Sequence, residues 1–270
     1  MYLDTLDSFA AVAARKAAAI RRAPLSFFVS AMMAGAYVGL GIILIFSVGA
    51  TIDPAWRRLV MGGSFGIALT LVIFAGSELF TGHTMFMSIG LLRRRVAGGD
   101  LAASWTLSWL GNLAGAVLLA LIFVAGGGGA LLGDGAPLLQ SAAAAKMNAP
   151  ALELLARAIL CNWLVCLAIW MTARTSSDAA RLGVIFWCLF AFIASGYEHS
   201  VANMTLFSIA LLAPHGDAVS FAGMAHNLLW VTLGNTVSGA LFMAGGYWFA
   251  SKPALASADG ATESGLAQAT

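Results

Sequence analysis

Two short stretches carry an acid, an imidazole and hydroxyls inside otherwise apolar sequence: AGSELFTGHTMF at 75–86 and ASGYEHSVANMTLF at 194–207. His199, beside Glu198 in the second, has the most distinctive chemistry. Its titration range lets it donate a hydrogen bond or a proton near neutral pH. An ionisable group buried among apolar residues at membrane depth is a functional candidate by default. Glu198 and His199 as acid and base would suit an enzyme, but no nucleophile, metal motif or cofactor motif accompanies them. We therefore expect neither an enzyme nor a cofactor. His83 and His199 lack a ligand cluster with metal spacing, so no metal site is expected either.

The elements that must hold these residues follow from composition. Of 270 residues, 60% are hydrophobic and 10% charged, against about 25% charged in a soluble domain. Crossing a bilayer takes about 20 apolar residues. Runs of that length recur near 26–48, 59–92, 104–126, 151–172, 181–213 and 221–250. These predict an all-α protein with six transmembrane segments in one domain, residues 1–250. The second and fifth segments are too long for a single straight crossing.

No cleavable signal peptide is visible, and the first span is its own insertion signal. Placing the N-terminus in the cytoplasm puts ten Lys and Arg residues inside and Arg57, Arg58 and Lys146 outside, with Arg157 within a span. This is the bias that normally sets topology, so both termini are expected to be cytoplasmic. The net charge of +2 gives no support for a nucleic-acid partner.

Glu78 and Glu198 stand 120 residues apart, and Asn112 (LGNLAGA) and Asn235 (LGNTVSGA) stand 123 apart. Segments one to three, about 26–126, thus repeat as four to six, about 151–250. Three is odd, so the second copy is inverted in the bilayer, and the Gly-interrupted segments two and five, one in each copy, are expected to be broken helices. Backbone freed by a break must face protein or a watery cavity, which places the solute path there. Half-helix N-termini aimed at the midplane favour an anion. A carboxylate lining an anion path would repel its cargo, so Glu78 and Glu198 are expected to accept N–H bonds and brace the broken loops. Phe65, Leu69, Phe80, Val165 and Phe192 lie in the pore-forming segments, either as core or as an apolar gate.

The remaining features read structurally. Residues 3–20 are an interfacial amphipathic helix, Glu153 and Arg157 a helical ion pair, and Cys161, Cys166 and Cys188 packing residues. Residues 126–150 form the longest outside loop, and 251–270 a disordered cytoplasmic tail.

The stretches AMMAGAYVGLGIILIF, MGGSFGIALTLVIFAGSELFTGHTMF, CNWLVCLAIWM, WCLFAFIASGYEHSVANMTLF and HNLLWVTLGNTVSGALFM resemble the formate/nitrite transporter family. The likeness covers all six segments and fades at 93–104, 126–150 and the last 18 residues. It implies an aquaporin-like fold assembled as a homopentamer in the bacterial inner membrane, with a pore in each protomer. The same likeness makes His199 and Thr81 a central hydrogen-bonded pair and places Lys146 in the outer vestibule. It further implies that Asn162 and Asn235 line the inner path and that Leu69, Phe80, Phe192 and Val165 form the constrictions. His83 stands where the wider family often has Asn, which favours nitrite over formate as the transported partner. Lys146 would concentrate the anion, and desolvation at the throat would raise its affinity for a proton. His199 would then lend that proton or a hydrogen bond. The Asn-Pro-Ala loops of a neutral-solute aquaporin are absent.

Overall fold

In the computed structural model, which describes residues 2–252, the chain opens with helix α1 (Leu3–Arg22), acidic in its first turn and basic in its last, as the helix dipole favours. Its apolar face, Leu6, Phe9, Ala10, Ala13 and Ala17, is buried. Much of that face packs on helix α5 (Phe80–Leu92). Pro24 then starts α2 (Pro24–Ala50), where a missing N–H costs nothing. After α3 (Pro54–Ser64) and α4 (Gly66–Leu71), the helix widens into a π-helical turn, Val72–Gly76, and stops. The chain runs extended through Ser77 and Leu79 before α5 begins.

The first half closes with α6 (Gly98–Ala125), which lies along α2. The contact is backbone to backbone: a Cβ on Gly35 would fall 2.0 Å from the Asn112 carbonyl oxygen, and one on Gly115 would fall 1.9 Å from that of Met32. Residues 126–150, expected as a loop, contain α7 (Gly129–Leu132) and α8 (Ala136–Met147). Leu139, Ala143 and Met147 are buried at four-residue spacing, and the alanine run between them favours helix. The flanking glycines obscure this helix in the sequence.

The second half repeats the order with α9 (Ala151–Thr172), α10 (Asp178–Ala194), α11 (Ser200–Leu212) and α12 (Phe221–Val237). The last continues through a π-helical segment, Ser238–Gly245, into α13 (Gly246–Ala250). As α2 lies along α6, so α9 lies along α12, while α11 packs between α2 and α6 of the first half. The stretch near 181–213 is two helices, interrupted at 195–199. Glycine makes both interruptions possible: Gly76 has φ 78° and Gly196 φ 74°, a left-handed conformation that other residues rarely adopt.

Pro24–Ala50, Pro54–Gly76, Gly98–Ala125, Ala151–Thr172 and Phe221–Ala250 are each long and apolar enough to cross a membrane. The surface is apolar, with Leu25, Ile122, Trp187, Leu229 and Leu241 more than 60% exposed. Asn112, Asn162, Asn235, Thr81 and Ser104 are fully buried. Hydrocarbon solvent demands that distribution, because polar groups must find partners inside the protein. All three cysteines are buried free thiols, and Arg157 meets Glu153 at 2.5 Å one turn away. The expected tail lies outside the described residues from 253 onward.

Candidate functional site

Each interruption is clamped by an asparagine from the neighbouring long helix. Asn112 Oδ1 accepts from the Phe80 N–H (2.9 Å), and its Nδ2 donates to the carbonyls of Ala31 (2.7 Å) and Glu78 (2.9 Å). Asn235 Oδ1 accepts from the Ser200 N–H (2.9 Å), and its Nδ2 donates to those of Ala158 (2.8 Å) and Glu198 (3.1 Å). These bonds satisfy backbone groups that the helix breaks leave open.

Between the breaks, Thr81 Oγ1 and His199 Nε2 lie 3.1 Å apart. His199 is the N-cap of α11, and its Nδ1 accepts the Ala202 N–H at 3.1 Å. An acceptor nitrogen carries no proton, so in the neutral ring the proton is on Nε2. Nε2–H is therefore the donor toward Thr81. Phe192 stacks on the imidazole at 6.0 Å and meets Phe65 edge-on at 5.5 Å.

Both carboxylates are held by a lysine and by the side chain five residues on. Glu198 accepts from Lys146 Nζ at 2.8 Å and from Asn203 Nδ2 at 2.7 Å. Glu78 accepts from Lys16 Nζ of α1, and its Oε2 lies 2.6 Å from His83 Nε2. The other ring nitrogen of His83 lies 2.7 Å from Ser104 Oγ.

Three cavities lie in sequence through this region. The first, about 120 Å³, includes Lys146, Asn203, Tyr197, Phe192 and His199 in its lining. The second, about 10 Å³, is lined by Val38, Phe65, Ala68, Leu69, Leu79, Val165, Leu189, Phe192 and His199. It has room for roughly one water-sized sphere. The third, about 520 Å³, includes Lys16, Glu78, Arg181, Ser77 and Leu79. Phe192 and His199 are shared by the first two and Leu79 by the last two, so the small cavity lies as a narrow throat between the larger ones. Its lining is apolar except for His199.

Residues 5–249 match the family described as formate/nitrite transporter. The chain belongs to the formate/nitrite transporter family. It is 56% identical over 254 residues, 94% of either chain, to the nitrite transporter NirC of Escherichia coli. It is 57% identical over 250 residues, 93% of this chain and 92% of the relative, to NirC of Salmonella typhimurium. A solved structure described as an FNT family ion channel superposes with a TM-score of 0.89 at 57% identity, covering 92% of this chain and 99% of that one. A pentameric formate channel with formate bound superposes at 0.72 with 27% identity, covering 85% and 98%. As a formate/nitrite transporter family member with five helices of membrane-crossing length among the described residues, this is a multi-pass membrane protein.

Within this formate/nitrite transporter fold, the structure gathers Phe65, Leu69, Val165, Phe192 and His199 around the throat and puts Lys146 at its first cavity. Phe80 is elsewhere, in a groove with Trp105, Trp109 and Thr232, and Leu79 takes the throat position. Leu79 is extended, and successive side chains in extended backbone point to opposite sides. Thr81 is fully buried behind His199 rather than lining a cavity wall. Asn162 and Asn235, expected along the path, line none of the three cavities. Asn162 donates to the Thr81 carbonyl (3.3 Å), Thr84 Oγ1 (3.1 Å) and the Asn235 carbonyl (2.6 Å), so it ties α5 to α12, while Asn235 braces the second break.

Lys16 and Ser104 escaped sequence reasoning. The signal for Lys16 was indirect: Glu78 and His83 repeat the spacing of Glu198 and Asn203, and a lysine precedes the first span of each half.

Proposed function

We propose that this chain is a channel for nitrite, and for related small monovalent anions such as formate, across the bacterial inner membrane. Relatives named nitrite transporter, 56% and 57% identical over most of the chain, support the substrate. The observation that carries the mechanism is the throat: an apolar passage with one polar side chain, His199, between two cavities that each hold a lysine.

A bare anion entering such a throat loses hydration worth several kcal/mol. Lys146, 25% exposed, faces the outer cavity, while its partner Glu198, 3% exposed, is turned into protein, so an approaching anion meets mainly the cation. At the throat, Nε2–H of His199 can leave Thr81 Oγ1 and donate to the anion's oxygen, replacing one lost water contact. The Ala202 N–H at Nδ1 favours this role as hydrogen-bond donor over loss and regain of a proton by His199. Any proton that accompanies the anion then comes from water or from another group. Beyond Leu79 the anion enters the inner cavity, where Lys16 stands beside Glu78.

Six crossings in a 3+3 inverted repeat complete the reading, the second and fifth each made of two half-helices meeting at a break. Ten Lys and Arg residues on the α1 side orient both termini to the cytoplasm. The pentameric relative supports a homopentamer with one path per protomer. The exposed pair Phe186 and Trp187 on α10, with half-buried Phe190 packed against them, offers apolar surface to lipid or to a neighbouring protomer.

Nitrite and formate fluxes through the purified protein in proteoliposomes, measured by current and by light scattering, test this reading. Saturable nitrite flux exceeding formate flux is expected. Absence of flux for any small anion would overturn it.

A further inference from the structure

We propose that Glu78 and His83 form a proton-binding pair beside the inner cavity, and that its protonation sets how much positive charge Lys16 offers an anion there. The proposal rests on the anion-path reading, but its first observation is independent of transport: the two carboxylates have different neighbours. Glu198 is held by the Asn203 amide, which does not titrate, and Glu78 by an imidazole in the equivalent place.

The two buried histidines also differ in what they tolerate. A second proton on His199 would sit on Nδ1, facing the Ala202 N–H. His83 has no such lock, since a carboxylate oxygen lies at one nitrogen and the Ser104 hydroxyl at the other. A hydroxyl both donates and accepts. With the ring neutral, Ser104 donates to Nδ1 and Nε2–H donates to Glu78. With the ring charged, Nδ1–H donates to Ser104 Oγ, whose own proton turns to a carbonyl one turn back. Ser108 makes a bond of that kind to the Ser104 carbonyl, at 2.7 Å.

The groups packed around His83 come from four elements. Phe27 of α2 and Phe86 of α5 meet the ring edge-on at 5.6 and 5.9 Å, and Ser104 belongs to α6. Lys16 of α1 bonds the same Glu78 oxygen as His83, and Arg181 lines the adjoining cavity. Glu78 is therefore the counter-charge of a charged ring, which a buried cation needs. It also lines the cavity from which the proton arrives. In the neutral state, the charges of Glu78 and Lys16 cancel. One added proton leaves the carboxylate matched by His83 and the charge on Lys16 uncompensated, and the pair titrates as a unit.

Two measurements test this on the full-length protein. Nitrogen NMR of imidazole-labelled protein in lipid nanodiscs, with His83 assigned by difference from His83→Asn, should show its ring passing from neutral to charged as the pH is lowered from about 8 into the acidic range. Over the same range, KM for nitrite in proteoliposomes should fall roughly fivefold in the wild type. It should stay level in His83→Asn, which copies the side chain at 203. A His83 ring that stays neutral throughout, or a variant that keeps the wild-type pH dependence, would overturn the proposal. Titration of the ring in a protein that passes no nitrite would uphold the proton site and sink the anion reading instead.

Discussion

Asn112 and Asn235 occupy equivalent positions in the two halves and make the same set of bonds: one to the first N–H of a half-helix, one to a glutamate carbonyl in the break, one to a carbonyl of a long helix. The two breaks are thus fixed by one device used twice, and the throat between them inherits its geometry from both.

Replacing either asparagine by alanine leaves buried N–H and C=O groups without partners, at roughly 1–3 kcal/mol for each orphaned group. Asn112→Ala and Asn235→Ala should lower the thermal unfolding midpoint in detergent by similar amounts. A large loss for one and none for the other would mean that the two clamps are not equivalent.

Gly76 and Gly196 hold left-handed backbone at the breaks. A Cβ there costs about 1–2 kcal/mol, although open space surrounds both positions. Gly76→Ala and Gly196→Ala should each destabilise by that amount in thermal melts, and Gly183→Ala, at an open helical site with ordinary φ, should not.

Leu79 and Phe80 line different cavities. Leu79→Ala should widen the throat and admit larger carboxylates such as acetate, whereas Phe80→Ala should leave selectivity at the wild-type value. Comparing acetate with nitrite flux in the two variants checks this, and the reverse pattern would restore Phe80 to the constriction.

Charge at the cavity that holds Lys146 should act through the anion's local concentration. Lys146→Met alone strands buried Glu198, so the informative variant is Lys146→Met with Glu198→Gln. It should carry less nitrite at low ionic strength and lose the salt dependence of the wild-type rate, since salt screens what it has already removed.

Several of these residues were legible in the sequence because buried polar groups are rare in apolar segments: His199, the matched glutamates and the Asn pair stand out on composition and offset alone. The apolar residues Phe65, Leu69, Val165 and Phe192 could be core or gate on the sequence alone, and the family resemblance singled out Leu69, Val165 and Phe192 but not Phe65. Leu79 could not be told from Phe80, because which of two adjacent residues faces the path depends on where the extended break ends. Lys16 looked like an ordinary cytoplasmic charge on an amphipathic helix. Only the docking of α1 against α5 brings it to Glu78. For Asn162 and Asn235 the sequence could not separate a solute path from a backbone clamp, because an amide suits both equally well.

The most direct test of the central claim is nitrite flux in proteoliposomes for the wild type, His199→Gln and His199→Ala at one pH. A lost hydrogen bond to a charged partner is worth about 1.5–3 kcal/mol. His199→Ala should therefore slow nitrite roughly 10- to 150-fold, with part of the rate regained in His199→Gln, whose amide still donates. A His199→Ala rate equal to the wild type would contradict the account and leave the throat without a functional polar group.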